Sequence, residues 1–214
     1  MYFAIIGDII NSKKIQDREA FQQRLNDVLD QLNTDYRDVI ASQFFITLGD
    51  EFQAILHRTA PVFQIIDVLI SRLSPISVRF GLGFGDIKTS INPEMSIGAD
   101  GPAFWYAREA IVELHQKNDY GDTLLTFKSE NMKKNQVMNA LISSGDAIKA
   151  SWRASQMEVF NGLLELGIYD EHFDHQQLAN KLSINPSALS KRLKSSHLKV
   201  YLRSRKLAQN FAVS

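Results

Sequence analysis

The sequence predicts an α+β domain at residues 1–148, followed by an all-helical domain at residues 149–214. In the first 130 residues, short apolar runs alternate with segments of helical periodicity in the order β-α-β-β-α-β-α-β. That order suits an antiparallel or mixed sheet with helices packed on one face. Beyond Ser129 the apolar spacing is helical, and the balance of charge also changes along the chain.

The composition indicates a globular protein of a reducing compartment. Hydrophobic residues make up 44 % of the 214 residues, and cysteine is absent, so neither disulfides nor thiolate metal sites contribute. The first ten residues, MYFAIIGDII, lack the basic segment of a signal peptide. No apolar run approaches the roughly 20 residues of a membrane span. We therefore expect a cytoplasmic protein with no membrane partner.

The net charge of zero conceals a division along the chain. From His175 to the C-terminus there are eight Lys and Arg side chains and no Asp or Glu. The first 174 residues hold the other 16 basic side chains and all 24 acidic ones, a net charge of −8. This asymmetry indicates two modules with different partners, the basic one being a candidate for binding polyanions.

Local signals place most elements of the first domain. Residues 2–6 form a short apolar run, which predicts a buried strand that ends near Asp8. Asp17 is a suitable N-cap for a helix that continues towards Val39. The other predicted elements are helices over 62–73 and 103–116 and a strand over 123–127.

Residues 44–56, FFITLGDEFQAIL, predict a β-hairpin. Apolar runs flank Gly49-Asp50, and such a pair makes a tight turn because Gly accepts positive φ and Asp satisfies turn backbone groups. In a β-α-β-β order the first strand can lie beside this hairpin, which would bring Asp8 and Asp50 to one end of the sheet. Asp8 and Asp50 would then either only shape the backbone turns or form a ligand-binding site. Converging carboxylates suit Mg²⁺ or Mn²⁺, which in turn bind nucleotide phosphates.

Residues 78–85, VRFGLGFG, have the period-two pattern of a strand. The alternating glycines Gly81, Gly83 and Gly85 indicate that something lies close against the backbone. It is either a packed helix, the more frequent case, or a ligand. The spacing is not a dinucleotide-binding fingerprint, since no helix opens after it.

These segments, in this order, resemble the class III nucleotidyl cyclases. The resemblance rests on residues 7–10 (GDII), 49–52 (GDEF) and 78–85, and it covers about residues 1–128. It implies a ferredoxin-like, nucleotide cyclase-like sheet in which Asp8, Ile9 and Asp50 hold Mg²⁺ or Mn²⁺, with Glu51 as a supporting metal ligand. Residues 48–52 are also similar to the GGDEF motif of diguanylate cyclases, which share that fold.

The same resemblance implies a nucleotide or nucleotide-derived ligand. Its predicted contacts are Asn11, Ser12, Lys13, Gly49 and Arg79, and Lys13 is favoured for phosphate because its turn opens beside the proposed metals. Further candidates for phosphate contact are Lys88 and Arg108. Trp105 and Tyr106 either stack on a base or belong to the core, which is the more frequent role at helical spacing.

The catalytic half of the cyclase pattern is not matched. The base-selecting Lys is replaced by Ile46, and the Asn and Arg that support the transition state align with Trp105 and Glu109. Arg108 lies one residue away, about 100° around a helix. Because losing one charge-stabilising donor typically costs about 10²–10³ in rate, we expect binding without catalysis. Arg108 would be catalytic only in an active enzyme.

The basic segment predicts a helix-turn-helix. A short helix with Leu178 and Ala179 precedes a turn, Pro186 suits the first turn of a second helix, and Ser183 stands where Gly is common. The predicted DNA contacts are Ser187, Ser190, Lys191, Arg192, Lys194, Lys199, Arg203 and Arg205. The alternative is a helical bundle whose basic residues dock on the acidic first domain of the same or another chain.

Taken whole, including residues 97–111 (IGADGPAFWYAREAI) and the helical tail, the chain resembles the SatD family of small bacterial proteins. We predict a homodimeric DNA-binding regulator whose non-catalytic, cyclase-like domain responds to a nucleotide and a metal ion. Two alternatives stay open: an active Mg²⁺- or Mn²⁺-dependent nucleotidyl cyclase or nucleotidyltransferase, and a protein-interaction scaffold with no ligand.

Overall fold

The structure is a computed structural model that describes residues 1–117 and 123–214. The strands are β1 (Tyr2–Ile9), β2 (Ile40–Leu48), β3 (Glu51–His57), β4 (Val78–Gly85) and β5 (Leu125–Ser129). The helices are α1 (Arg18–Asp35), α2 (Val62–Leu73), α3 (Pro102–Lys117), α4 (Met132–Ala150), α5 (Ala154–Glu165), α6 (His175–Lys181), α7 (Pro186–Ser196) and α8 (Leu198–Val213). Short 3₁₀ turns cover Ser12–Lys14 and Arg37–Val39.

The five strands form one mixed sheet in the order β2-β3-β1-β4-β5. The β4 and β5 strands are parallel, and all other neighbours are antiparallel. The predicted element order and the mixed sheet are therefore confirmed. The central position of β1 places Asp8 opposite Glu51 on one side and opposite Arg79 on the other.

Helices cover both faces of the sheet, so the prediction of helices on one face is wrong. Successive residues of a strand point to opposite faces. Phe3 and Ile5 of β1 join the core that includes side chains of α1, α2, α4 and α8. Ala4 and Ile6 pack with α3 on the other face. Burial on both faces explains why β1 is a continuous apolar run rather than an alternating one.

Helix α3 lies directly on the glycine-bearing face of β4. A Cβ atom at Gly83 would lie 2.0 Å from the carbonyl oxygen of Ala103, and one at Gly81 would lie 2.2 Å from that of Ala107. Small residues on both elements permit this close approach. Of the two explanations for the glycines, the packed helix is confirmed.

The helices after residue 150 build a second core, to which α5, α6, α7 and α8 contribute. Helix α8 belongs to both cores: Tyr201 and Leu202 contact the second, whereas Ala208 and Ala212 contact the first. The two regions predicted as domains are thus joined by packing along α8. In the part of the chain that the structure describes, no helix is long and apolar enough to cross a membrane.

Candidate functional site

Three carboxylates, Asp8, Asp50 and Glu51, lie at one end of the sheet, and we call them the acidic cluster. Asp8 is the register partner of Glu51 across β1 and β3. Asp50 lies in the turn before β3, and its carbonyl oxygen accepts a hydrogen bond from the Ile9 N–H at 3.1 Å. The predicted convergence of Asp8 and the hairpin is therefore present.

The local sequence forms this hairpin as expected. Leu48 pairs with Glu51 across a two-residue turn, and Gly49 has a φ of 59°, a left-handed conformation that favours glycine. The turn is thereby tight enough to keep the Asp50 and Glu51 carboxylates next to the end of β1.

Basic side chains surround the cluster. Asp8 lies 3.4 Å from the Arg79 guanidinium and 3.2 Å from His115 Nε2. Glu51 accepts two hydrogen bonds from Arg108, at 2.5 and 3.0 Å. His115 was missed by the sequence reasoning. One signal could have found it: Arg108 and His115 are seven residues apart and so lie on one face of α3.

The surroundings of the acidic cluster shift the pKa of Asp8 and that of the adjacent Arg108. Burial raises the pKa of Asp8, the nearby charge of His115 lowers it, and the neighbouring Asp50 carboxylate raises it again, with a net upward shift. The hydrogen bonds to Glu51 raise the pKa of Arg108 above its usual value. The hydroxyl of Ser12 donates a hydrogen bond to Asp50. Each carboxylate therefore has a polar partner.

The donor chemistry of the cluster is compatible with a divalent cation. Carboxylate oxygens are the hard ligands that Mg²⁺ and Mn²⁺ prefer, and Ile9 adds a backbone carbonyl in the same short segment. Within residues 1–117 and 123–214, however, no group of three His, Cys, Asp or Glu side chains is arranged to hold a metal ion. Asp8 already contacts Arg79 and His115, and Glu51 contacts Arg108, so a cation would compete with basic side chains for these two carboxylates. The metal ligands stay a prediction.

The predicted nucleotide contacts are only partly brought together. Ser12, Gly49 and Arg79 lie at the acidic cluster. Asn11 has a left-handed φ of 57° and is exposed, and Lys13 is exposed in the adjoining 3₁₀ turn.

Trp105 is 46 % exposed, so the core interpretation is wrong for this residue. Its indole N–H donates to Asp100 at 2.6 Å, and the Lys88 ammonium lies 5.2 Å from the ring centroid. Tyr106 is partly buried.

Helix α7 carries four of the eight predicted DNA contacts on one side. The exposed residues Ser187, Ser190, Lys191 and Lys194 follow an i, i+3, i+4, i+7 spacing, and we call them the α7 face. Leu189 and Leu193 are buried beneath them.

The predicted start of α7 is confirmed. Pro186 is the first helical residue, and the Asn185 side chain caps the helix by accepting the Ala188 N–H at 2.7 Å. Ser183 takes a φ of 52°, which explains why glycine is common at that position of the turn.

The other predicted DNA contacts are engaged within the chain. Arg192 pairs with Glu158 at 2.6 Å, and Arg203 pairs with Glu171 at 2.6 Å. Lys199 Nζ lies 5.1 Å from the centroid of the Phe173 ring. Arg205 is only 4 % exposed and pairs with Asp146, so its prediction as a DNA contact is wrong. A buried guanidinium cannot reach a phosphate.

A comparison with protein families agrees with the resemblance of the whole sequence. A model of the SatD family matches residues 2–212. Since the match spans nearly the entire chain, the protein belongs to the SatD family. A search of curated proteins finds no match.

Proposed function

We propose that this protein is a DNA-binding regulator whose α+β region binds a divalent cation together with a nucleotide. The observation that carries the proposal is the α7 face. It presents two hydroxyls and two lysines to solvent, whereas the neighbouring arginines are held in ion pairs.

The DNA half of the proposal rests on helix order and charge. A short helix, a tight turn and a capped basic helix are the parts of a helix-turn-helix, in which the second helix enters the major groove. In the described part of the chain, Lys191 and Lys194 make no ion pair. Lys194 and Lys199 also line a common surface depression between α7 and α8. Lys191 and Lys194 are exposed on a helix that is of a size to enter the major groove, and such lysines suit phosphate contact.

The ligand half of the proposal rests on the acidic cluster. Three carboxylates at one end of a sheet repel one another. The pKa of Asp8 is raised first by burial and then by the neighbouring Asp50 and Glu51 carboxylates. A divalent cation at Asp8, Ile9 and Asp50 would relieve the repulsion. Arg79, displaced from Asp8, would then be available for the phosphates of a nucleotide.

DNA binding is tested by its salt dependence. Each lysine that contacts a phosphate contributes about 0.9 to the slope of log K against log salt. We expect Lys191→Gln and Lys194→Gln each to reduce the slope by about 1. Lys181→Gln is the matched control, because Lys181 pairs with Glu165 at 2.7 Å on another helix. Binding that is independent of salt, or equally affected by all three substitutions, would overturn the DNA half.

Ligand binding is tested by thermal unfolding with Mg²⁺ or Mn²⁺ and a panel of nucleoside triphosphates and cyclic dinucleotides. A ligand at about 100 times its Kd should add about 2.7 kcal/mol to stability. The shift should be lost in Asp8→Asn/Asp50→Asn and kept in Asp38→Asn, a substitution of an exposed carboxylate. A shift that survives in the double variant would contradict the acidic cluster as the site.

A second candidate function is an active metal-dependent nucleotidyl cyclase or nucleotidyltransferase. The observation in its favour is that Arg108, the only arginine of α3, reaches the acidic cluster through Glu51. Product formation from ATP or GTP with Mn²⁺, abolished by Asp50→Asn and by Arg108→Gln, would establish it.

The proposed regulator is a homodimer, since helix-turn-helix proteins read paired half-sites about one helical turn apart. Sedimentation with and without operator DNA tests this. A monomer under both conditions would contradict the dimer.

A further inference from the structure

A pocket of about 200 Å³ lies where the sheet layer meets the helices that follow it, and we call it the junction pocket. Its apolar wall includes Phe63 and Ile66 of α2, Phe80 of β4 and Met157 of α5. These side chains come from both cores of the protein. The described residues that line it include none of the acidic cluster or the α7 face.

Four charged side chains also line the junction pocket, and they neutralise one another. Lys149 Nζ lies 2.6 Å from Asp67, and Arg205 pairs with Asp146. The wall therefore carries no net charge. An ion that entered would lose its hydration without gaining a counterion, which is costly in an apolar environment. The pocket thus selects against charged molecules.

Lys149 provides a directional contact for a neutral ligand. An ammonium group has three N–H donors, and in the described part of the chain the only hydrogen-bond acceptor of Lys149 is Asp67. The Lys149 side chain is 14 % exposed, so water has limited access to the remaining donors. A carbonyl or hydroxyl oxygen on a bound molecule would accept from one of them.

The size of the pocket limits the ligand. An apolar cavity of about 150 Å³ in another protein holds benzene, so about 200 Å³ suits one aromatic ring with a small substituent. We propose that the junction pocket binds a small, uncharged, mainly apolar molecule with one hydrogen-bond acceptor. Its apolar part lies against Ile66 and Phe80, and its acceptor faces Lys149. This site is independent of the proposed function.

Three probes of similar shape separate these requirements: acetophenone, which has a neutral acceptor, ethylbenzene, which has none, and benzoate, which is charged. Thermal unfolding should show a saturable rise in Tm with acetophenone, a smaller rise with ethylbenzene and none with benzoate. A rise with benzoate equal to that with acetophenone, or no saturable rise with acetophenone, would overturn the proposal.

The position of the probe is tested by NMR of methionine methyl groups in the intact wild-type protein. Acetophenone should shift the Met157 signal and leave those of the exposed Met95 and Met132 unchanged. Ile70→Phe, which fills the pocket from α2, should abolish the saturable Tm rise, and Leu207→Phe on the exposed side of α8 should keep it. An unshifted Met157 signal would refute the site even if Ile70→Phe failed to fold.

Discussion

Asp67 is buried between the two cores, and its replacement tests the polar network there. The side chain is 3 % exposed. One carboxylate oxygen accepts from Lys149 at 2.6 Å, and the other accepts from the hydroxyls of Tyr169 and Tyr201 at 2.5 and 2.6 Å. A single carboxylate of α2 therefore joins α4, α8 and the segment that follows α5.

Asp67→Asn keeps the shape of the side chain and leaves the Lys149 ammonium without its counterion. Removing one partner of a buried ion pair costs about 3–5 kcal/mol, and we expect the free energy of unfolding in urea to fall by that amount. Tyr201→Phe, which removes one hydrogen bond to a charged group, should cost about 1.5–3 kcal/mol. The double variant Asp67→Asn/Lys149→Met removes both charges and should recover most of the loss.

The pH dependence of stability is a second readout of the same network. Burial raises the pKa of Asp67, but the charges of Lys149 and Arg205 lower it by more, so that the folded-state pKa lies below 3.8. The stabilisation from the ionised carboxylate is complete above that unfolded-state value and is lost as the pH falls through the folded-state pKa. Asp67→Asn should remove this acid-side loss. A cost below about 1 kcal/mol at neutral pH would refute a buried, paired network.

Four further substitutions test the site, the sheet, the hairpin turn and a helix cap. Asp8→Asn should raise the Tm at neutral pH, because the raised pKa of Asp8 means that folding disfavours its ionised form. The gain in Tm should vanish below the unfolded-state pKa near 3.8. A lower Tm at neutral pH would contradict this reasoning. Gly83→Ala should cost about 3 kcal/mol in urea unfolding, because its Cβ meets the α3 backbone. At Gly49 a Cβ would meet open space, but the φ of 59° disfavours alanine, so Gly49→Ala should lower the unfolding free energy by about 1–2 kcal/mol. Equal losses at Gly83 and Gly49 would rule out the steric explanation. Asn185→Ala should lower the unfolding free energy by about 1 kcal/mol, whereas no change would mean that the Ala188 N–H finds another acceptor.

Features of the fold that depend on neighbouring residues could be predicted from the sequence. Asp17 caps α1 by accepting the Ala20 N–H at 2.9 Å, as its position before an apolar-periodic segment indicated. The Gly49-Asp50 turn follows from two adjacent residues in the same way. Caps and turns act over three or four residues, so a short window of sequence contains the whole interaction.

Pairings between distant residues could not be predicted in this way. Arg205 lies in a basic segment whose composition predicts a surface residue, yet its partner Asp146 is 59 positions earlier in the chain. His115 contacts Asp8 across 107 positions, and neither local sequence contains a sign of the other. That helices cover both faces of the sheet could not be predicted for a related reason. Three glycines on β4 indicate a close neighbour but do not say on which side of the sheet the other helices lie.

The excess of basic over acidic residues after residue 174 suggests more unpaired positive charge around α7 than the structure has. Five of the eight basic side chains after residue 174 form ion pairs with carboxylates between Asp146 and Glu171 of the same chain. In the described part of the chain, Lys191, Lys194 and Lys199 form none. If only these three release counterions from DNA, the slope of log K against log salt should be about −2.7 per protomer, compared with about −7 if all eight took part. A slope near −7 would mean that the internal ion pairs exchange their carboxylates for phosphates on binding, whereas a slope near −2.7 would confine the interface to α7 and the start of α8.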